Sequence, residues 1–280
     1  SGVFSGDVPT PVKLSVTDRL QLLPPGSIKL SGFIQKRIQQ QSEYMFNEQF
    51  LAEMVDKIRM QPHRLVNGKP TGLAEGEFWG KAVRALSRYY QYSGDPRLRE
   101  TLETTVADLM SLQTPDGCIS DTHPALQPYH SDIWVRKYTL LGLINTYEST
   151  GDEKVLKSAI GLADHTISMV GPAPKVRIVH TSFNSSPTNP DGWFFGIESS
   201  SILEPIMRLY LLTGKEEYLE FAKYIVEEEG CTSTGSLFEE MLAGKDASEL
   251  VNGRACHAYS ITSCFEGLMD YYRVTGNEKW

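Results

Sequence analysis

The sequence predicts an all-α fold, an (α/α)6 barrel built of repeated αα-hairpins, and three observations lead to this prediction. A short phrase that contains tyrosine and ends in Ser-Gly or Thr-Gly recurs at similar intervals along the chain. Apolar residues at helical spacing lead up to each phrase, and a second such pattern leaves it. Helical hairpins that repeat with a long period are typical of a solenoid or a closed ring. The phrases end at Gly94, Gly151, Gly214 and Gly276.

Each phrase has the chemistry of a tight turn between two helices. Glycine adopts the left-handed conformation that commonly ends a helix, and the residue that follows can cap the next helix. At Asp95 and Pro96, a capping side chain is followed by a preferred first helical residue. The sequence therefore predicts a short helix-to-helix turn at each of these glycines.

Length and composition allow one large domain and exclude several classes of protein. The chain has 280 residues and a formal net charge of −8, and no run of lysine or arginine stands out, so no nucleic-acid partner is expected. No apolar stretch is long enough to span a membrane. The cysteines Cys118, Cys231, Cys256 and Cys264 match neither a disulfide framework nor a zinc ribbon.

The elements run from an irregular N-terminal segment, residues 1–26, into an α/α-barrel catalytic domain expected over residues 27–280. A first helix is predicted over 27–60 with a break near Gly32, and a Pro- and Gly-rich loop follows over 61–76. Residues 176–180 have the composition of a short strand. The hairpin helices are predicted at 78–92, 96–112, 132–149, 153–169, 199–212, 216–229 and from about 256 to the last turn.

The two helices of a hairpin differ in their apolar faces. The second helices are amphipathic, whereas the first helices are apolar on more sides, which predicts an inner ring of first helices and an outer ring of second helices. About eight of the twelve helices of six hairpins are visible, so the ring is expected to be incomplete within this chain. Leu203, Met207, Cys264 and Leu268 are expected to be buried, and residues 215–217 to be exposed.

This arrangement locates a candidate site. Short turns join inner to outer helices, so the long connections all lie at the end of the barrel where the inner helices begin. Helix N-termini at that end, called the mouth here, offer unpaired N–H groups and partial positive charge. Long loops on a rigid scaffold often carry function. The long connections are residues 113–131, 170–198 and 230–255.

Aromatic and charged side chains gather in these loops and in the first turns of the inner helices. Aromatic rings stack on the apolar face of a sugar, and carboxylates bind its hydroxyls or move its protons, so a carbohydrate site is predicted. Trp79 and Trp134 would serve equally well as core residues. The residues expected to bind substrate are Trp79, His130, Asp132, Trp134, Trp193, Glu198, Arg254, His257 and Tyr259.

Cleavage of a glycosidic bond needs a proton donor and a second group at the anomeric carbon. We expect Glu239 or Glu240, in the last long loop, to be the donor, and Glu204, inside the third inner helix, to be the second group. The structural alternative for Glu204 is a partner in a buried ion pair. For Glu239 and Glu240 the alternative is a place on a solvated helix face. Arg254 is a planar fork donor that suits a carboxylate on the sugar.

Four stretches of the chain carry a family resemblance: residues 23–29, 132–138, 199–205 and 263–268, which read Leu-Pro-Pro-Gly-Ser-Ile-Lys, Asp-Ile-Trp-Val-Arg-Lys-Tyr, Ser-Ser-Ser-Ile-Leu-Glu-Pro and Ser-Cys-Phe-Glu-Gly-Leu. With them the chain resembles the glycoside hydrolase family 127 group of β-L-arabinofuranosidase-like proteins. The resemblance implies an α/α barrel, followed by β-sandwich domains in longer members, and a periplasmic or secreted location. It also implies a cysteine nucleophile held on zinc by a Glu-x-Cys pair and a Cys-Cys pair.

The chain departs from this family at the zinc ligands. Counting back from Gly276 places His257 and Tyr259 where the family has its Glu-x-Cys pair. A shift of three residues places Arg254 and Cys256 there. Neither alignment restores the pair, so we expect no cofactor and no bound metal, with Cys256 as a zinc ligand only if the family site is kept.

The sequence favours a glycoside hydrolase that removes a terminal sugar from a plant cell-wall polysaccharide such as pectin. The sugar would be β-L-arabinofuranose-like, or acidic, such as L-aceric acid. Two alternatives stay open: a catalytically inactive carbohydrate-binding relative, and an α/α-barrel polysaccharide lyase that would use Tyr259, His257 and Arg254. A pair of carboxyl groups at the mouth would favour the hydrolase. The expected partner is an oligosaccharide or polysaccharide, and the oligomeric state is left open.

Overall fold

The computed structural model describes residues 10–72, 74–254 and 257–280, which form helices and two small strand hairpins. Strand β1 (Arg64–Val66) pairs antiparallel with β2 (Lys69–Thr71), and β3 (Cys231–Thr232) with β4 (Gly235–Ser236). The helices are α1 (Gly32–Met45), α2 (Glu48–Arg59), α3 (Glu77–Ser93), α4 (Pro96–Met110), α5 (Asp132–Thr150), α6 (Glu153–Met169), α7 (Ile197–Ser200), α8 (Leu203–Thr213), α9 (Glu216–Lys223), α10 (Leu237–Leu242), α11 (Leu250–Gly253) and α12 (Ala258–Thr275).

Helices α3, α5, α8 and α12 form the inner layer. α3 packs along α5, α5 meets α8, and α8 packs along α12. α4, α6 and α9 each follow an inner helix and pack against it from outside. α5 is buried along all but its last residue, as expected of a helix with neighbours on every side. The predicted all-α fold, with inner and outer rings of αα-hairpins, is confirmed.

The recurring phrase forms the same turn each time. Gly94, Gly151, Gly214 and Gly276 all have positive φ, and each donates its backbone N–H to the carbonyl of the tyrosine four residues earlier. The residue after each glycine donates its N–H to the Ser or Thr hydroxyl two residues back. The tyrosine, hydroxyl and glycine positions of the phrase therefore all belong to one hydrogen-bonded turn.

The first predicted helix is two helices. The chain breaks at Asn47, whose side-chain oxygen accepts from the backbone N–H of Phe50 and so caps α2. The predicted helix start near residue 27 is wrong, since α1 begins at Gly32, where the break was expected. The side chain of an asparagine can satisfy the free N–H groups of a new helix, which favours a break at Asn47.

Two connections also differ from the prediction. Residues 61–76 contain the β1–β2 hairpin, and its turn residues Asn67 and Gly68 both have positive φ, as a two-residue hairpin turn requires. The expected strand at 176–180 is instead a 3-10 turn at Ile178–His180. Asn-Gly is a known hairpin signal, so the first feature could have been predicted from the sequence.

A large apolar core fills the space between the two layers, and Trp134, Tyr138 and Leu141 form a second, small cluster. Leu203, Met207 and Cys264 are fully buried, as predicted. Leu268 is only half-buried, because it packs at the edge of this core. Residues 216 and 217 are exposed, while Lys215 is half-buried. In the described part of the chain, no helix combines the length and the apolar character needed to cross a membrane.

Residues 10–18, called the N-terminal strap here, cross the end of the barrel opposite the mouth. The Thr10 hydroxyl donates to the carbonyl of Leu211. The backbone N–H of Ser15 donates to the carbonyl of Arg273 at 2.9 Å, and Asp18 pairs with the Arg273 side chain at 2.6 Å. The strap therefore joins the C-terminal ends of α8 and α12.

Close packing of α3 on α5 predicts a cost for enlarging Gly80. A Cβ at this position would lie 2.0 Å from the carbonyl oxygen of Tyr138, so the two inner helices would have to move apart. Gly80→Ala is expected to lower the free energy of unfolding by about 1–3 kcal/mol. Chemical denaturation followed by circular dichroism measures this change.

Gly161→Ala is the matched control for this variant. Gly161 is also helical, but its Cβ would first meet the end of the Gln113 side chain at 3.2 Å rather than backbone at 2.0 Å, so a much smaller displacement relieves the contact. Its free energy of unfolding should stay within about 1 kcal/mol of the parent protein. Equal losses in both variants would contradict a special role for the α3–α5 contact.

Candidate active site

The inner helices bring five side chains together at the mouth. Glu77 begins α3 and Lys81 follows one turn later, while Trp134 and Tyr138 occupy the first two turns of α5. Residues four apart on a helix face the same side. Tyr259 adds a fifth side chain from the first turn of α12. These five residues are called the mouth cluster below.

Glu77 and Lys81 link the mouth cluster electrostatically. The Glu77 carboxylate accepts a hydrogen bond from Trp134 Nε1 and pairs with Lys81 Nζ at 2.9 Å. Lys81 Nζ also lies 4.8 Å from the ring centre of Tyr138 and 5.3 Å from that of Tyr259. At these distances a ring face attracts a cation. The cluster thus combines a carboxylate, an ammonium group and aromatic rings in one place.

A second carboxyl group, that of Glu198, is buried near the mouth cluster. Glu198 lies in α7 and is 4% exposed, and its Oε1 has no hydrogen-bond partner among the described residues. Burial raises the pKa of Glu198 to about 8; the Phe183 backbone N–H opposes this shift, and the charge of Glu77 adds to it. Glu198 is therefore a carboxyl group that holds its proton at neutral pH.

Glu204 lies deeper along the barrel axis and joins three inner helices. It accepts from Arg84 of α3 at 2.8 Å and lies 3.8 Å from Lys137 Nζ of α5. Burial raises the pKa of Glu204 to about 7, and a hydrogen bond to Glu266 also raises it. The positive charges of Arg84 and Lys137 lower this pKa and so oppose the shift. This geometry agrees with the structural alternative for Glu204, a buried ion pair.

Trp134 and Tyr259, both expected to bind substrate, do meet at the mouth, and Glu198, expected there as well, lies close enough to Glu77 for its charge to raise the pKa of Glu198. His257 adjoins them and stacks on the ring of Phe194, with centroids 4.9 Å apart. Trp134 and Tyr259 meet edge to face, with centroids 5.5 Å apart. The carboxylate of Glu77 and the ammonium group of Lys81 complete this site, and the four-residue spacing of these two could have indicated it.

Trp193 and Arg254 lie on the surface. Trp193 is 59% exposed, and its ring rests against Phe183 with centroids 4.9 Å apart. Arg254 is exposed as well, with its guanidinium carbon 5.2 Å from the ring centre of Phe195. Both side chains are open to a ligand from solvent. Cys256 lies outside the described residues.

The remaining predicted binding residues are buried and contact other side chains of the protein. Trp79 is fully buried and donates from Nε1 to the Thr105 hydroxyl, so it is a core residue, which was the alternative to substrate binding. Asp132 is also fully buried and accepts from Arg136 Nε at 3.0 Å. His130 packs on another histidine, and burial lowers its pKa to about 4, so it is neutral at neutral pH.

The structure does not bring Glu239 or Glu240 into the mouth cluster. Glu239 is exposed and pairs with Lys279, which follows the C-terminal end of α12, whereas the mouth is at the N-terminal end of that helix. Glu240 accepts from the backbone N–H of Val251 at 2.8 Å. Since Val251 has positive φ, Glu240 supports an unusual backbone conformation in this loop.

A separate cavity of about 480 Å³ lies between α2 and α6 and shares no lining residue with the mouth cluster. Its polar groups are largely paired with one another or with neighbouring side chains. His165 pairs with Asp116 at 3.4 Å and accepts from Arg136 at 2.9 Å, and Cys118 also contacts Arg136. The mouth, with its two carboxyl groups and the exposed ring of Tyr259, is therefore the better candidate for an active site.

The donors present do not fit the zinc site that the family resemblance implies. Within residues 10–72, 74–254 and 257–280, no group of three or more His, Cys, Asp or Glu side chains is arranged to hold a metal ion. His257 directs Nδ1 to the Ser260 hydroxyl at 2.6 Å, and Arg254 carries a cation. Neither side chain supplies the carboxylate of a Glu-x-Cys pair.

The chain matches the model of a protein family described as the β-L-arabinofuranosidase GH127 catalytic domain, over residues 28–280. This match confirms the resemblance drawn from the sequence. No curated protein matches the chain.

Solved structures share the fold. One is a GH127 β-arabinofuranosidase, with a TM-score of 0.60 and 18% identity over 99% of this chain and 42% of that one. A GH127 β-L-arabinofuranosidase from Geobacillus stearothermophilus T6 has a TM-score of 0.60 and 14% identity, and the match covers 89% of this chain and 42% of that one. A protein described as a glycoside hydrolase has a TM-score of 0.52 and 16% identity, and the match covers 89% of this chain and 34% of that one. The chain thus spans less than half the length of these relatives, and at these identities the likeness shows the fold alone.

Glu198 is expected to make stability fall as pH rises. Its pKa moves from 4.5 to about 8 on folding. Between these values the folded protein keeps a proton that the unfolded chain has released, so the free energy of unfolding decreases with rising pH. At about 1.4 kcal/mol per pKa unit, the loss amounts to a few kcal/mol.

Glu198→Gln cannot titrate, so the difference in unfolding free energy between parent and variant should change by this amount across the same pH range. Denaturant titrations at a series of pH values measure it. Glu53→Gln, at an exposed position of α2, is the matched control and should show a nearly constant difference. A constant difference for Glu198→Gln too would contradict the raised pKa.

Proposed function

The chain belongs to the family of GH127 β-L-arabinofuranosidase catalytic domains, and from this premise we propose that it hydrolyses a glycosidic bond at the mouth of its barrel. One observation carries the proposal: two carboxyl groups lie near the mouth in opposite environments. Glu77 is paired with a cation, whereas Glu198 is buried with an unpartnered oxygen. Two such carboxyl groups, one binding a cation and one holding a proton, suit the two roles that glycosidases need.

Each group of the mouth has a task in this proposal. Glu198 gives its proton to the leaving oxygen, and the Glu77 carboxylate stabilises or attacks the anomeric carbon. The rings of Trp134 and Tyr259 pack against the apolar face of the sugar. Lys81 binds sugar hydroxyls and holds Glu77 in place through their ion pair.

The proposed substrate is a terminal sugar of a plant cell-wall polysaccharide such as pectin. Two solved relatives are described as β-arabinofuranosidases, which supports a β-L-arabinofuranose-like sugar. The exposed guanidinium of Arg254 supports an acidic sugar, such as L-aceric acid, as the alternative.

Other functions receive less support. The presence of two carboxyl groups near the mouth favours a hydrolase over an inactive carbohydrate-binding relative. A lyase would need Tyr259 as a base, but this hydroxyl is hydrogen-bonded to Tyr138. The absence of a cofactor and of zinc, and a periplasmic or secreted location, remain proposals that rest on the sequence and the family resemblance. Elemental analysis of protein purified without chelator would test the proposal on zinc.

Glu198→Gln and Glu77→Gln, each made alone, are expected to lower kcat by on the order of 10²–10⁴ while the fold stays intact. An amide can neither donate the proton nor carry the negative charge. The measurement is release of monosaccharide from a panel of plant glycans and of nitrophenol from p-nitrophenyl β-L-arabinofuranoside. Circular dichroism checks the fold.

The same assay on Glu204→Gln, Glu239→Gln and Glu240→Gln tests the carboxyl groups that the sequence suggested. Glu239→Gln should keep near-parent activity, because Glu239 pairs with Lys279 outside the mouth cluster. Loss of activity in Glu239→Gln or Glu240→Gln, with full activity in Glu198→Gln, would contradict Glu198 as the proton donor. It would instead support the glutamate of residues 230–255 whose variant lost activity.

Arg254→Ala is expected to raise KM for an acidic sugar on the order of tenfold and to leave KM for neutral sugars unchanged. A guanidinium binds a carboxylate through two parallel hydrogen bonds, which a neutral sugar cannot use. Arg254→Lys keeps the charge without the fork and should fall between parent and Arg254→Ala. Equal losses for acidic and neutral sugars would contradict charge recognition by Arg254.

A further inference from the structure

A continuous series of aromatic rings leads from the surface to the mouth cluster. Trp193, Phe183, Phe194 and His257 follow one another with ring centroids 4.9, 6.4 and 4.9 Å apart. His257 then meets Tyr259 of the mouth cluster at 6.0 Å. The four outer rings are called the aromatic track below. The track is therefore continuous with the candidate active site.

The track is open to solvent. Trp193 is 59% exposed and Tyr259 is 45% exposed. The rings between them are half-buried, so each keeps some surface for a ligand. Large exposed aromatic residues that lie together commonly mark binding sites. Pairwise ring contacts connect Trp193 to Tyr259 through the rings between them, and such a connected series of rings suits a chain-like ligand.

The outer end of the track is built into the fold. The Trp193 backbone N–H donates to the Phe183 carbonyl at 2.7 Å, which holds the two rings side by side. The preceding residue, Gly192, has φ +57, and a Cβ there would lie 2.4 Å from the same carbonyl oxygen. Only glycine fits this close approach, so the backbone conformation that presents Trp193 is tightly specified.

The chemistry of the track matches a chain of sugars. Each sugar residue has an apolar face of C–H groups that stacks on an aromatic ring, and hydroxyl groups at its edge that need hydrogen bonds. His257 and Tyr259 combine a ring with a polar group, and they lie where the track reaches the mouth cluster.

We propose that the aromatic track binds the sugar residues on the leaving-group side of the bond cleaved at the mouth, with Trp193 as the outermost platform. The substrate is then an oligosaccharide or polysaccharide of several residues, and a single sugar with a small leaving group contacts only the inner end. This inference rests on the proposed function for the direction of the chain. The binding it describes is measured separately from cleavage.

Calorimetric titration with two series of ligands tests the track. One series is L-arabinose and arabino-oligosaccharides of increasing length, and the other is galacturonic acid and galacturono-oligosaccharides of matching lengths. In the parent protein, affinity should rise with chain length in one of these series. Trp193→Ala should weaken binding of the longest ligand of that series on the order of tenfold and leave the monosaccharide unaffected.

Two variants serve as controls. Trp193→Phe keeps a ring at the position and should recover most of the increase in affinity with chain length. Tyr44→Ala removes a ring that is 70% exposed on α1, outside the track, and should bind every ligand as the parent does. A loss in Tyr44→Ala equal to that in Trp193→Ala would overturn the assignment of the effect to the track.

The outcomes separate the track from the proposed function. Length-independent binding in both series, or an unchanged gain with length in Trp193→Ala, would overturn the track even if the protein cleaves p-nitrophenyl β-L-arabinofuranoside. Conversely, length-dependent binding that is lost in Trp193→Ala would support the track even if no glycan in the panel is cleaved. In that case the proposed hydrolysis fails and a carbohydrate-binding role remains.

Discussion

The buried carboxylate of Glu204 is the contact on which the arrangement of the inner helices depends. It lies on α8 and pairs with Arg84 of α3 and Lys137 of α5, so three inner helices meet at one group. Buried charges are costly unless they are paired, and the loss of one partner leaves the other unpaired. Because a helix cannot slide along its axis without breaking such a pair, this contact also fixes the level at which each first turn reaches the mouth.

The two ends of the barrel follow different rules. At one end, the same Tyr, Ser or Thr, and Gly pattern closes every inner helix, and the turn needs only groups within a few residues of one another. At the mouth, the connections are long and differ in length and composition. The constant end keeps the helices in register, and the variable end carries the residues proposed to bind sugar.

This difference explains which features could be predicted from the sequence. The turns, the inner ring and the burial of Leu203 depend on local spacing, and the sequence was sufficient for them. The role of a carboxyl group depends on partners from distant segments, which spacing does not reveal. Glu239 lies in a loop that begins near the mouth, yet its partner is Lys279. The sequence indicates Glu198 only as a binding residue, because its burial arises from the fold.

The N-terminal strap has a consequence for how the protein folds. Ser15 donates its side-chain hydroxyl to the carbonyl of Val274 at 2.6 Å, although the two residues are 259 positions apart. Contacts between residues so far apart in sequence close large loops, which costs chain entropy and slows folding. The helical hairpins can form from nearby residues, but the strap can attach only after α12 is in place. The attachment of the strap should therefore be a late step in folding, and it should open early when the barrel begins to unfold.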